Sequence, residues 1–504
     1  MPLNLITDEW IPVFKDGERV LIRPYQIAEN NVERLAWFRP DFNLACMELL
    51  IGMIFLADPP NDDSDLIERY HNPNADRLKK ALEPFESHFE LMGNGTRFLQ
   101  DLENFEVNQT KHKSVDMLFI DSAGEQTEKH NSDLIVHRDR YKSLSLPEAA
   151  MALYTLQAFA PAGGSGNRTS MRGGGPLVSL IQPLDCESSH LWRTIWLNVP
   201  AGKPLSPDQA SEALPWLRKT RTSENNKAVI LDQSHKGEMF FGMPRRLRLI
   251  EKEGRIVGVV QKNYGTNYSN WIHFLSPYYR NKPEEEFLPV HPKPGKISYQ
   301  NWLGLIMEHR NNDKKKRVAG TVRRFNNIAF GIRPKGELLL GGWAMSNMTP
   351  LDFNIGFYPS WKTEKEEEDR IAKLIEAAEK SVSELIKALK DSFRARKKNN
   401  ATPSLRGESS LAIRENFYFE TEITFKYMVQ ALVDKSDSDD NVEKNWLDYL
   451  RKVALGKFDK LTTPVFSELA ISDIEKIIEA RTRLFSLHSK NKAISEILDL
   501  NDSD

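Results

Sequence analysis

The residues of this chain best suited to chemistry are glycines and arginines set close together. The run 162–175 holds six glycines and two arginines in fourteen residues, among them Gly163, Gly164, Ser165, Gly166, Arg168 and Arg172. Glycine lets a partner approach the backbone closely, and the exposed N–H groups can meet phosphate oxygens or base edges. A second run, 341–350, carries Ser346, Asn347 and Met348 after the strand-like stretch 337–340. It reads as a tight turn with a small polar tip flanked by methionines, a shape able to wedge into a nucleic-acid groove. A flexible loop and a core-anchored turn are the plainer readings of the same two runs.

Basic residues also cluster. Arg245, Arg246 and Arg248 lie on one strand-like run; Lys314, Lys315, Lys316 and Arg317 precede Arg323 and Arg324. A third cluster, Lys387, Lys390, Arg394, Arg396, Lys397 and Lys398, is opposed by one acid, Asp391. Such clusters can neutralise phosphates without reading sequence. The third also fits a helix C-terminus, where cations complement the backbone dipole.

Catalytic motifs are not found. The sequence has no Gly-x-x-x-x-Gly-Lys-Ser/Thr loop and no His-Glu-x-x-His pair, and the glycines at 163–166 lack dinucleotide-binding spacing. The eleven histidines are scattered. His130, Asn131 and His137 come nearest to a cluster, and a metal-dependent His-Asn-His-like nuclease can be written on them, but the stretch is a polar loop where such a site needs a strand hairpin and helix. The two cysteines, Cys46 and Cys186, form no Cys-x-x-Cys pair, which argues against a disulfide scaffold or a thiolate zinc site. The expectation is a chain that is not an enzyme and holds no metal or cofactor.

The elements that position these residues follow from length and pattern. A chain of 504 residues implies more than one domain. Its 69 basic and 71 acidic residues leave a net charge of -2, so any nucleic-acid contact must be local. The segment 45–57 is apolar but too short to span a bilayer, and it reads as a buried helix. The start of the chain lacks the pattern of a signal peptide, so no membrane partner is expected and a reducing cytoplasm fits. Asp16-Gly17 between strand-like runs signals a hairpin. Helical patterning follows at 42–57, 75–90 and 147–159, a polar irregular stretch at 100–143, and mostly short strands to 360, with turns at Glu253-Gly254 and one helix near 298–310. After Trp361 the character changes. Thr363 and Glu366 have capping-box spacing, and Ile371, Leu374, Ile375, Ala378, Val382, Leu385, Ile386 and Leu389 recur at steps of three and four. Further helical segments at 415–434, 442–457 and 470–499 predict a four-helix bundle. The fold class is α+β: a mixed α/β domain over 1–360 and the bundle over 361–504.

Read together, several segments resemble the CasA family, the large subunit of type I-E Cascade from CRISPR systems. They are Asn4-Leu5-Ile6 to Trp10-Ile11-Pro12-Val13, the glycine run with Met171-Arg172-Gly173-Gly174, Phe241-Gly242-Met243-Pro244-Arg245, Arg324-Phe325-Asn326-Asn327-Ile328, the run 341–348 and Arg414-Glu415-Asn416-Phe417-Tyr418. Order and spacing agree along essentially the whole chain. The resemblance implies a subunit that works with crRNA, target double-stranded DNA, other Cascade subunits and an effector helicase-nuclease. It implies that a glycine loop, a strand lysine and a wedge hairpin meet the protospacer-adjacent motif (PAM) and start R-loop formation, while base pairing reads the rest. Carried over, the loop falls on Gly163, Gly164, Ser165 and Gly166. The lysine falls on Lys262 with Asn263 beside it, and the wedge on Ser346, Asn347 and Met348. Some members place a glutamine where this chain has Asn347, a shorter amide. The resemblance also implies a guide-RNA and subunit anchor at Leu134, Ile135, Val136 and His137, and displaced-strand contacts at Lys390, Arg394, Arg396 and Lys397. Two other readings stay open: the nuclease, and a purely structural RNA-binding scaffold.

Overall fold

The computed structural model describes residues 2–103, 112–122, 129–131, 138, 140–163, 166–184, 191–231, 234–295, 297–308, 315–328, 334–361, 363–394, 409–434, 442–463, 469–489 and 492–500; side chains are described for these except at 393–394. The chain divides into two compact units. The first comprises 1–296 and 314–360, the second 297–313 and 361–504.

The first unit mixes helices with small sheets. Strands β1 (Ile11–Lys15), β2 (Glu18–Ile22) and β3 (Val32–Leu35) form a sheet in the order β2-β1-β3. The predicted Asp16-Gly17 hairpin is present, with Lys15 facing Glu18 and both turn residues in the left-handed region, at φ 52° and 80°. That geometry matches the twist of the flanking strands, which is why Asp-Gly suits it. Helix α1 (Pro40–Ala57) is buried along nearly its whole length, including Glu48. It is long and apolar enough to cross a membrane, but 89% of it lies inside the fold. Apolar residues all round the helix are explained by burial on every side.

Helices α2 (Asp63–His71), α3 (Ala75–Leu82), α4 (Leu146–Phe159) and α5 (Leu191–Leu197) surround this core. Asp62 and Asn74 cap α2 and α3, and a Ser145–Glu148 capping box starts α4. Four buried indoles donate to backbone carbonyls: Trp10 to Leu5, Trp192 to Arg69, Trp196 to Leu66 and Trp216 to His88. Each ring therefore buries a large apolar surface without stranding its N–H.

Two more sheets carry the residues of interest. Strand β4 (His112–Lys113) joins β6 (Arg246–Lys252) and β7 (Arg255–Lys262) in the order β4-β7-β6. The predicted turn between β6 and β7 is Glu253-Gly254, again left-handed at both positions. Strand β5 (Val178–Pro183) joins β8 (Gly336–Ser346) and β9 (Thr349–Pro359) in the order β9-β8-β5. Strand β5 covers β8 only from Gly336 to Gly341, so beyond Gly341 the β8–β9 hairpin runs on as a two-stranded ribbon.

The second unit is helical. Its long helices are α7 (Lys365–Arg394), α8 (Ser410–Asp434), α9 (Val442–Thr462) and α10 (Ile471–Leu487), α6 being the short helix Gly320–Asn327 of the first unit. Helix α7 packs on the other three, α8 on α9, and α9 on α10. The predicted stripe from Ile371 to Leu389 is the buried face of α7.

Several expectations shift. The cap of α7 moves by one residue, because the Glu364 amide donates to the Glu367 carboxylate, in place of a Thr363–Glu366 box. The last predicted helix ends at Leu487 and a short one resumes at Ala493–Ile497. Where a helix was expected near 298–310, the described residues 298–308 hold one 3-10 turn, Tyr299–Asn301, followed by Gly304 at φ 89°. Its Tyr299 stacks on Phe425 at 4.1 Å and bonds the Thr421 hydroxyl at 2.7 Å, so apolar spacing here serves insertion among helices. In the stretch read as a polar loop, Val115, Leu118, Phe119 and Ile120 are buried.

Candidate nucleic-acid interface

The glycine run is folded, and both ends are held to other strands. Ser170 donates its amide to Ala160 and its hydroxyl to Gly173, closing a tight bend. At the first end, Gly163 donates to the Asn167 carbonyl, and Gly166 sits at φ 77°. The Gly166 carbonyl accepts the amide of Tyr264, two residues past the end of β7, and the Gln261 amide donates to Asn167 at 2.8 Å. The described glycines 163 and 166 therefore lie beside Lys262 and Asn263; Gly164 and Ser165 lie outside the described residues.

The other end of the run meets the hairpin. A Cβ on Gly174 would lie 2.9 Å from the Met348 sulfur, and one on Gly175 would lie 2.8 Å from the Met345 methyl. Only hydrogens fit there. The turn residues Asn347 and Met348 are left-handed, at φ 47° and 65°, between the facing pair Ser346 and Thr349. Asparagine tolerates this conformation better than most residues, whereas methionine does not. Ser346, Asn347 and Met348 are all exposed. Sequence reading placed loop, lysine and tip separately; in the fold one end of the glycine run meets the end of β7 and the other meets the β8–β9 hairpin.

Lys262 is not idle. Its ammonium lies 2.5 Å from Glu103 Oε1, and Arg246 reaches the other oxygen of the same carboxylate at 2.6 Å. Hydrogen bonds from Lys262 and then Arg246 hold the Glu103 carboxyl below the usual carboxylate range. Asn263 is exposed.

The arginine clusters change meaning. Arg172 is buried, donating to Glu48 at 2.6 Å, Ser276 at 3.2 Å and the Ala158 carbonyl. Burial pushes the Glu48 carboxyl up while the guanidinium pulls it down. His273 lies 3.6 Å from Glu48 and accepts the Leu275 amide on Nδ1, which leaves the ring proton on Nε2. Burial and the Arg172 charge hold His273 well below the ordinary histidine range. Arg245 is buried, donates to the Pro161 carbonyl, and is lowered to about 10 by burial. Arg246 is held by Asp101 and Glu103, and Arg248 donates to the Asp101 carbonyl. Arg324 donates to Leu197 and Val199 carbonyls at the end of α5, and burial lowers it to about 10. Arg245, Arg246, Arg248 and Arg324, which belong to clusters able in sequence to neutralise phosphates, here tie the fold together, as Arg172 does. Arg168 is engaged too, with Ser223 at 2.9 Å.

On the second unit, Lys390 is exposed near the end of α7, Lys387 is 3.9 Å from Glu384, and Asp391 pairs with Arg483 at 2.7 Å. Arg394 ends the helix without a described side chain, and Arg396 and Lys397 lie outside the described residues. So do Leu134, Ile135, Val136 and His137. Near them in sequence, Asp121 receives Arg39 and Arg140. Burial pushes the Asp121 carboxyl up, and the bonds and charges of Arg140 and Arg39 bring it below its ordinary value. Among the described residues no group of three His, Cys, Asp or Glu side chains is placed to hold a metal ion. The contacts of Glu103 and Tyr264 escaped sequence reading because no local pattern marks them.

Solved structures share this fold. CasA of Thermus thermophilus superposes with a TM-score of 0.73 at 17% identity, over 96% of this chain and 100% of that one. Cse1 of Thermobifida fusca gives 0.71 at 17% identity over 99% of both chains. A chain from a structure described as a CRISPR RNA-guided surveillance complex gives 0.68 at 14% identity, over 97% of this chain and 99% of that one. The model of the family described as CRISPR-associated protein Cse1 matches residues 4–456, and on that match the chain belongs to the Cse1 family.

Proposed function

We propose that this chain is the large, non-catalytic subunit of a crRNA-guided Cascade complex in the cytoplasm. In this reading it recognises the PAM in duplex DNA, starts strand separation for R-loop formation and helps recruit the helicase-nuclease. The observation that carries the reading is the glycine run held at one end to the β7 terminus and at the other to the hairpin tip. It links small, close-approach backbone to a cation at one end and to an exposed turn at the other.

Gly163, Gly164, Ser165 and Gly166 let the duplex approach. Lys262 and Asn263 supply a cation and an amide at the strand end, and Ser346, Asn347 and Met348 enter between base pairs. Lys390 and Arg394 at the end of α7, with Arg396 and Lys397 after them in sequence, take the displaced strand through phosphate charge. The segment 134–137 anchors the subunit to guide RNA and its neighbours.

The test is Asn347→Ala in the reconstituted complex with guide RNA. Assembly should be unchanged, while R-loop formation on PAM-bearing duplex should drop. Normal R-loops on every motif variant would refute the wedge assignment. Metal-dependent cleavage by the purified chain, abolished by His137→Ala, would refute the non-catalytic assignment.

A further inference from the structure

We infer that Tyr264 is a further specificity-determining DNA contact, its ring lying along the minor-groove edge of the duplex beside the glycine run. The inference rests on the DNA-binding reading above.

Tyr264 sits at φ 62°. For a bulky aromatic residue this left-handed conformation costs on the order of 1–2 kcal/mol. Most other non-glycine residues in that region here are asparagines or aspartates, which tolerate it. Leu99, at φ 51°, is strained too, but its side chain is fully buried and the core gains from it. Tyr264 is strained and still 42% exposed, so the core gains little from its ring.

The conformation is held on purpose-built contacts. The Tyr264 amide donates to Gly166 at 3.0 Å, and its carbonyl accepts the Ser223 amide at 3.4 Å. A Cβ on Gly166 would lie 2.7 Å from the tyrosine ring, so glycine at 166 is what lets the ring rest against the loop. Lys262 and Asn263 immediately precede it, and Arg168 on the same run bonds Ser223, whose amide holds the tyrosine carbonyl. An exposed phenol fixed at this place offers an apolar face to deoxyribose and a hydroxyl donor to the acceptors that line a minor groove, purine N3 and pyrimidine O2.

The experiment uses the complex reconstituted with guide RNA, and measures affinity for PAM-bearing duplex together with the thermal midpoint of the purified chain. Tyr264→Gly relieves the backbone strain, so the midpoint should hold or rise while affinity falls about tenfold. Tyr264→Phe should keep most of that affinity and narrow the preference between PAM variants. A Tyr264→Gly chain with a lowered midpoint and unchanged affinity would overturn the inference, because the ring would then be structural. Lys262→Ala separates the two levels. If it weakens binding and Tyr264→Gly does not, the tyrosine assignment alone fails. If neither weakens binding, the reading of the whole site fails and takes the inference with it.

Discussion

Glu48→Ala is the sharpest available perturbation of the site's foundation. Glu48 and Arg172 are 1% and 2% exposed and lie 2.6 Å apart, which joins helix α1 to the glycine run. Removing the carboxylate leaves the guanidinium buried without a counter-charge, a change that costs about 3–5 kcal/mol. The Ser276 and Ala158 contacts remain, so the lower end of that range is expected. Glu48→Gln keeps a hydrogen-bond acceptor and should cost about 1–3 kcal/mol. Replacing both partners, Glu48→Leu with Arg172→Met, removes the buried charges together and should recover most of the loss. Urea unfolding followed by tryptophan fluorescence gives the midpoint, with buried indoles reporting on the first unit (Trp10, Trp192, Trp196 and Trp216) and on the second (Trp302 and Trp446). Amide exchange adds location: the Gly173 and Gly175 amides, bonded to Ser170 and Phe159, should lose protection before α2 or α3. A Glu48→Ala loss below about 1 kcal/mol, or a double variant as unstable as the single one, would refute the view that the loss comes from a buried guanidinium left without its counter-charge.

Two further outcomes follow from the charges described. Glu103→Gln weakens the carboxylate that occupies Lys262, and since exposed ion pairs contribute about 0.2–1 kcal/mol, duplex affinity at low salt should rise up to about fivefold; a fall in affinity would show that Glu103 positions the lysine for DNA. His273 is depressed by burial, so its stabilising effect is full above the ordinary histidine value of 6.5 and is lost as pH falls below it toward the folded-state value. Unfolding free energy at pH 5.5 and 6.5 should differ by up to about 1 kcal/mol more in the parent than in His273→Gln; equal slopes would refute a neutral buried ring.

What could be read from sequence was local. Asp16-Gly17 and Glu253-Gly254 announced their turns because left-handed backbone restricts residue type at those positions. The stripe from Ile371 to Leu389 announced α7 because helical spacing repeats every few residues. The glycine run and the tip were found by composition. The structural roles of the arginines were not legible because their partners are remote: Glu48 lies 124 positions from Arg172, and Asp101 lies 145 from Arg246. An arginine beside glycines looks alike in sequence whether it faces a phosphate or a buried carboxylate. The helix expected near 298–310 failed for a related reason, since Tyr299 and Trp302 are packed by Phe425 of α8 and not by a helix of their own.

The β8–β9 ribbon beyond Gly341 behaves mechanically as a cantilever. Its root is clamped by β5, and the five residues of β8 beyond it span about 17 Å, buried as far as Ala344 and exposed at the tip. A two-stranded ribbon resists stretching but twists readily. The aim of the tip is therefore set less by the hairpin's own stiffness than by the prop beneath it, where Gly174 and Gly175 bear on Met348, Met345 and Trp343. Torque applied to the tip passes through that prop into the bend at Ser170 and Gly173 and on to the buried Arg172. The same short run of chain is thus both the cradle beside the strand end and the bearing on which the hairpin turns.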